Sequence, residues 1–160
     1  MHTEFRRVHP TEELRSLVAF DRKVFTVDDR FPIEYWGYVE SYWMLINGVK
    51  VGCCAFERNV DFQQDERDDG VNPRMPGSLY IASTAILPRF QHRGFGRMLK
   101  CWQVAFAQQQ KFHRIVTNTR MRNKAMIHLN EKFGFKVIRI SPDYYSRPAE
   151  STVVMELRVR

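Results

Sequence analysis

Residues 85–99, Ala-Ile-Leu-Pro-Arg-Phe-Gln-His-Arg-Gly-Phe-Gly-Arg-Met-Leu, hold the residue types best suited to gripping an anion. A β-rich run ends at Pro88, the chain turns, and Gly94 and Gly96 open a helix whose apolar face is Phe95, Met98, Leu99, Trp102, Ala105 and Phe106. The first turn of a helix presents amide N–H groups that have no carbonyl partner, and its partial positive charge is worth about 0.3–1 kcal/mol to a nearby anion. Glycines let phosphate oxygens approach that main chain, and Arg93 and Arg97 add charge-assisted donors on either side. The spacing therefore predicts a phosphate cradle, although Gly-x-Gly alone also suits a plain helix cap. A triphosphate loop needs Gly-Lys-Ser/Thr, and here Gly96 is followed by Arg97-Met98. A dinucleotide site needs a third glycine where Leu99 stands and an acid near Lys111-Phe-His-Arg. Both readings fail on side chains.

The charge distribution fits an anion site. The net charge of +7 combines ten Lys/Arg and fourteen Asp/Glu in residues 1–80 with fifteen and four in residues 81–160, so the halves carry −4 and +11. The basic half reads as an anion receiver, and the acidic half as a place for a cation. Asp61, Asp65, Glu66, Asp68 and Asp69 concentrate acid in the aperiodic stretch 58–77, which suggests a cationic small molecule or a basic peptide. Nucleic acid is not expected as a partner, because no aromatic stacking platform or recognition-helix pattern accompanies the basic half.

No metal is expected: His2, His9, His92, His113 and His128 show no ligand spacing, and Cys53, Cys54 and Cys101 form no Cys-x-x-Cys. Cys53 and Cys54 are adjacent in a β-rich run and read as small buried hydrophobes.

The elements that must position these groups follow from periodicity and turn residues. Glu4–Val8 reads as a strand, Thr11 as the cap of a helix running to about Phe25, and 33–39 as a second short helix. Phe31, Tyr35 and Trp36 beside it are candidate pocket-lining residues or core. Asn47-Gly48 between Tyr42–Ile46 and Val49–Glu57 is a type I′ hairpin signal. Then come a strand at Ser78–Leu87, a helix at Gly94–Phe112 and a strand at Arg114–Asn118. A helix at Asn123–Phe133, a strand at Phe135–Ser141, a Pro/Tyr loop and a strand at Thr152–Val159 complete the chain. Early strands followed by βαβα imply a mixed sheet with helices on both faces, an α/β or α+β single domain over 1–160. With 44% apolar and 27% charged residues, no long apolar run and no secretory leader, the chain reads as a cytoplasmic protein with no membrane partner.

Gln91-His92-Arg93-Gly94-Phe95-Gly96 resembles the acetyl-coenzyme A motif of the GNAT superfamily of N-acetyltransferases, Gln/Arg-x-x-Gly-x-Gly/Ala between a strand and a helix. A second match follows, from Asn123 to Leu129-Asn-Glu-Lys-Phe-Gly-Phe135, and the resemblance spans about residues 40–140. It implies a mixed, mostly antiparallel sheet of six to seven strands with a splayed central strand. By the same resemblance acetyl-coenzyme A is the cosubstrate and the acceptor is a primary amine of a small molecule or peptide. Ala85 and Ile86 would bond the pantetheine arm, while Gln91, Arg93, Gly94, Phe95, Gly96 and Arg97 would hold the pyrophosphate. His92 lies in the same turn, Asn123 would reach the cofactor from the second helix, and Met126 would pack on it.

The chain departs from the family where mechanism is decided. Asn130 stands where many members have a tyrosine that protonates the leaving thiolate, which implies a subgroup lacking that acid. Asn130 offers the sulfur a hydrogen bond but no proton. Tyr80 occupies the position of a glutamate base in some members, and Glu57 on the neighbouring strand is a second candidate. Tyr144 and Tyr145 are candidates for an acid or for the amine pocket. An alternative is a regulatory module that binds acyl-coenzyme A without turning it over. The resemblance leaves a monomer and a homodimer equally open.

Overall fold

The computed structural model describes residues 1–62 and 71–159. Asp65, Glu66, Asp68 and Asp69 of the acidic stretch lie outside the described residues. In chain order the elements are β1 (Thr3–Arg7), α1 (Leu14–Val24), α2 (Ile33–Tyr38), β2 (Glu40–Ile46), β3 (Val49–Val60) and β4 (Arg74–Ile86). They continue with α3 (Phe95–Gln109), β5 (Arg114–Arg120), α4 (Lys124–Lys132), β6 (Lys136–Ser146) and β7 (Ala149–Arg158). The strands form one seven-stranded sheet in the order β1-β2-β3-β4-β5-β7-β6, flanked by helices. The β1–β2, β2–β3, β5–β7 and β6–β7 pairs are antiparallel, and β4–β5 is parallel. The mixed, mostly antiparallel sheet expected from the sequence is therefore present. Among the described residues no helix is long and apolar enough to cross a membrane.

Contacts divide the chain into two compact units, Met1–Phe56 with Ala82–Leu99, and Glu57–Ile81 with Lys100–Arg160. In the first unit, Leu17 and Phe20 of α1 pack with Trp36, Val39, Trp43, Leu45, Cys53 and Ala85. Burying each large side chain contributes roughly 1.5–3 kcal/mol. Phe20 meets Trp43 edge-on at 5.4 Å, an arrangement the ring quadrupoles favour. Cys53 and Cys54 are buried thiols outside any disulfide, and desolvation pushes the Cys53 thiol well above its ordinary range. The β2–β3 turn places Asn47 and Gly48 at φ 49° and 80°, as the hairpin signal requires.

Thr11 does not cap α1. The turn before the helix is organised by His9, whose Nδ1 accepts from the amides of Thr11 (3.3 Å) and Glu12 (3.1 Å), while the Glu13 carboxylate accepts from the His9 amide at 3.0 Å. The helix N-cap position is Glu13, with no side-chain capping bond, and a turn held by an imidazole escapes a scan for Ser, Thr, Asp and Asn.

In the second unit, Ile115 and Val116 of β5 and Val154 and Met155 of β7 are fully buried. Arg114 is buried too, and its guanidinium donates to Glu156 at 2.7 Å, Asp61 at 2.9 Å and Ser78 at 2.9 Å. The helix α4 begins at Asn123, whose Oδ1 accepts from the Met126 amide at 3.2 Å. It ends in a Schellman motif: Gly134 at φ 95° donates to Glu131 O at 2.9 Å and Phe135 to Asn130 O at 3.1 Å. The Asn-to-Gly-Phe spacing is thus a start and a stop for one helix. The expected Pro/Tyr loop is instead part of β6. Between Ser141↔Thr152 and Tyr145↔Glu150 the strand β6 carries extra residues, with Asp143 at φ 55°, and pairing then resumes. A bulge admits Pro142 to this strand because β6 lies at the sheet edge.

Candidate active site

The cradle lies in the first unit. The 3₁₀ turn Pro88–Phe90 leads into a bend where His92 sits at φ 62° and Gly94 at φ 87°. The first helical bond runs from the Met98 amide to Gly94 O at 3.1 Å. The amides of Phe95, Gly96 and Arg97 come before it and have no carbonyl one turn back. A Cβ built on Gly94 meets nothing within 4 Å, so the space on that side of the bend is open. Open space, uncommitted helix amides and two exposed arginines are what a diphosphate needs, and the residues present fit that group. Arg93 is partly ordered by stacking, its Cζ 5.8 Å from the centre of the Phe90 ring.

The strand ahead of the cradle is held from two sides. Leu87 N–H donates to Val51 O at 2.9 Å, and the Gln91 amide donates to Ile86 O at 2.9 Å. Gln91, expected among the diphosphate ligands, is therefore seen bracing the strand end. Ala85 is buried and Ile86 half-buried. The β4–β5 register covers Ser78–Ile81 against Arg114–Thr117, and Ala82–Ile86 lie past its end. Gly52 allows this strand its close approach to β3: a Cβ there would stand 2.8 Å from Ala85 O and 2.7 Å from Ile86 Cδ1.

Of the three aromatics near α2, Phe31 faces a cleft of about 420 Å³ lined also by Val18, Asp21, Arg22, Arg30 and Pro32. Tyr35 stacks on Phe31 at 4.5 Å. Trp36 is 1% exposed and belongs to the core, which removes it from the pocket-lining set. Asp21 Oδ2 accepts from the Phe31 amide at 3.1 Å and so fixes where this segment begins. Burial raises the Asp21 carboxyl above its ordinary value, opposed by the Phe31 amide and the Trp36 indole.

The second unit gathers the other candidates around Tyr80. Its hydroxyl donates to Asn118 Oδ1 at 2.6 Å. The Asn118 amide donates to Thr152 Oγ1 at 3.1 Å and Tyr145 OH at 3.4 Å, and Thr152 Oγ1 donates to Thr119 O at 3.1 Å. Phe62 packs on both Tyr80 and Tyr144, at 5.6 and 5.5 Å between ring centres, and Tyr144 meets Tyr145 edge-on at 4.9 Å. Burial pushes the Tyr80 phenol well above its ordinary value, and Tyr144, Glu57 and Tyr145 push in the same direction. Glu57 is buried, beyond the strand edge expected for it because β3 continues to Val60, and its Oε2 accepts from Asn72 at 2.9 Å.

The hairpin that carries Tyr145 is pinned by Arg120, whose guanidinium lies 4.0 Å over the Tyr145 ring and bonds Glu150 at 3.0 Å. Desolvation pushes the Glu150 carboxyl up, but hydrogen bonds from the Arg122 side chain and amide and from Arg120 outweigh it and bring its pKa down to about 2.

The α4 candidates divide. Asn123 is exposed with its oxygen engaged in the cap, and Met126 is half-buried. Asn130 is 0% exposed; the sulfur its amide reaches is Met155 Sδ at 3.6 Å, and its Oδ1 has no hydrogen-bond partner among the described residues. Sequence reasoning missed Asn118, Thr152 and Asp21. The one signal for Asn118 and Thr152 was a polar residue inside an otherwise apolar strand, and that does not say what the residue meets.

The geometry has clear relatives. The chain resembles the ribosomal-protein-S18-alanine N-acetyltransferase of Escherichia coli, at 15% identity and TM-score 0.79 over 99% of this chain and 94% of that one. It resembles the loading GNATL domain of CurA from Lyngbya majuscula, at 14% identity and TM-score 0.81 over 99% and 98%. It also resembles yncA of Salmonella typhimurium, a putative acetyltransferase solved with its cofactor acetyl-CoA, at 18% identity and TM-score 0.73 over 100% and 95%. These likenesses establish the fold. Among curated protein sequences none is a significant match. The profile of the Acetyltransferase (GNAT) family matches residues 6–135. The profile covers most of the chain and agrees with the fold, and the chain belongs to the GNAT family of acetyltransferases.

Proposed function

We propose that this enzyme transfers an acetyl group from acetyl-coenzyme A to a primary amine of a small molecule or peptide, by direct attack of the amine nitrogen. The observation that carries the reading is the open cradle: Gly94 at φ 87° with open space on its side of the bend, followed by three helix amides without helical partners. Those amides, with Arg93 and Arg97, would hold the diphosphate, and Ala85 and Ile86 would receive the pantetheine arm as an added strand. When bound, acetyl-coenzyme A supplies an acetyl group activated as a thioester. Asn123 and Met126 are the α4 residues assigned to the cofactor. Phe31, Tyr35 and the exposed face of Tyr144 are assigned to the acceptor.

An alkylammonium has a pKa near 10.4, so about 4–5 kcal/mol separates it from the attacking free amine at neutral pH. Glu57, a buried carboxylate, is assigned as proton acceptor, and Tyr80 as the group that orients the amine. Asn130 stands where many family members have an acid, and no proton can come from it. The leaving thiolate is then protonated by water.

The test is release of free thiol from acetyl-coenzyme A with n-propylamine, spermidine and a lysine-containing peptide. Acceptor-dependent thiol release is expected with at least one. Tight coenzyme A binding with no release from any amine would favour a regulatory acyl-coenzyme A module instead.

A further inference from the structure

The direction of each hydrogen bond around Tyr80 is determined by a backbone carbonyl. Thr152 Oγ1 donates to Thr119 O at 3.1 Å, and with its single proton placed there it accepts in its 3.4 Å contact with Tyr145 OH. Toward Asn118 the same Thr152 oxygen can therefore only accept. That fixes the Asn118 side chain with its NH₂ on Thr152, at 3.1 Å, and its Oδ1 on Tyr80. An amide oxygen has no proton to give, so the Tyr80 hydroxyl must be the donor in their 2.6 Å bond. The opposite amide orientation would set Oδ1 against the Thr152 oxygen, whose proton is on Thr119 O. In the chain Tyr80→Asn118→Thr152→Thr119 every donor then meets an acceptor.

Two consequences follow for the phenol. Its proton is committed, so it does not protonate a leaving group. Loss of that proton would leave a phenolate 2.6 Å from an amide oxygen in a buried setting, so it does not serve as a base. What remains is the pair of lone pairs on the phenol oxygen. Among the described residues, Asn118 is the hydrogen-bond partner this oxygen has.

We propose that Asn118 is a positioning residue that locks Tyr80 into the donor state, so that the phenol oxygen is presented as a hydrogen-bond acceptor for an N–H of the incoming amine. This rests on the assignment of Tyr80 to the acceptor amine. Asn118 itself touches no substrate. Aligning the amine by one such bond keeps its lone pair free for attack, because the bond uses a nitrogen hydrogen and not the nitrogen electrons.

The experiment is a double-mutant cycle on the full chain with acetyl-coenzyme A and the fastest amine of the panel. Tyr80→Phe is expected to lower kcat about tenfold with the KM for acetyl-coenzyme A unchanged, and Asn118→Ala to lower it about as much. In the Tyr80→Phe background, Asn118→Ala is expected to cost nothing further. Asn118→Asp keeps an acceptor for the phenol but loses the donor to Thr152, and is expected to retain more activity than Asn118→Ala. NMR of protein labelled at tyrosine Cζ reads the lock without turnover: the Tyr80 signal should move in Asn118→Ala and stay close to wild type in Asn118→Asp. Fully additive losses, or Asn118→Asp as impaired as Asn118→Ala, would overturn the lock while leaving Tyr80 assigned. Wild-type kcat in Tyr80→Phe would instead overturn the assignment of Tyr80, and the lock with it. Should Asn118→Ala not fold, the Asp variant and the labelled wild type still decide the matter.

Discussion

The cradle and the Tyr80 cluster hold their groups by opposite means. In the proposed cradle the groups on offer are backbone amides, left without helical partners by the geometry of a helix start that follows a glycine at φ 87°. Around Tyr80 the groups are side-chain oxygens and nitrogens, part-buried and bonded one to the next down to Thr119 O. A backbone device tolerates many side chains and fails when the main chain is blocked. A side-chain relay tolerates little change of atom type but does not depend on empty space.

That contrast is broken most directly at Gly94. Gly94→Val puts a β-branched residue at a left-handed φ and fills the open space on that side of the bend. Calorimetry with coenzyme A should show affinity lower by about two orders of magnitude, whereas Arg93→Gln should lose about tenfold or less. If the arginine substitution proves the more damaging, the cradle is not built from backbone.

Next in size is Gly52→Ala. Its methyl would press on Ala85 O, a main-chain atom that cannot swing aside, so a cost of about 1–3 kcal/mol in urea unfolding is expected, with coenzyme A affinity several-fold weaker. Undiminished affinity would separate strand position from cofactor binding.

The smallest effect concerns the hairpin beside Tyr145. The Glu150 pKa is depressed to about 2, below its unfolded value near 4.5, so its contribution to stability is present above about pH 4.5 and is lost as pH falls through 2. In Glu150→Gln that part of the pH dependence should vanish. Melting temperatures of the two proteins should therefore differ at pH 6 and converge toward pH 2, and a constant difference would mean that the Arg120 and Arg122 contacts do not depend on the charge.

The same contrast explains what the sequence disclosed. The bend and helix start of the proposed cradle were readable because their requirements are local: glycine at a left-handed bend ahead of an amphipathic run, all within a few residues. The hairpin at Asn47-Gly48 and the start and stop of α4 were readable for the same reason. The partner of Tyr80 was not, since Asn118 lies 38 positions away and reaches it only through the parallel register of β4 with β5. The imidazole turn at His9 was missed because such a turn has no compositional signature. The β6 bulge was missed because Pro142 reads as a break until an edge position admits it.

The outer position of β6 also bears on how the protein behaves in concentrated solution. Val137, Ile138 and Ile140 are 46%, 44% and 50% exposed along a strand that ends the sheet, with Lys136 and Arg139 set among them. An exposed cation such as Lys136 discourages copies from joining edge to edge, and its repulsion is screened as ionic strength rises. Dilute salt is accordingly the condition in which colloidal behaviour is governed by repulsion and not by the sticky rim.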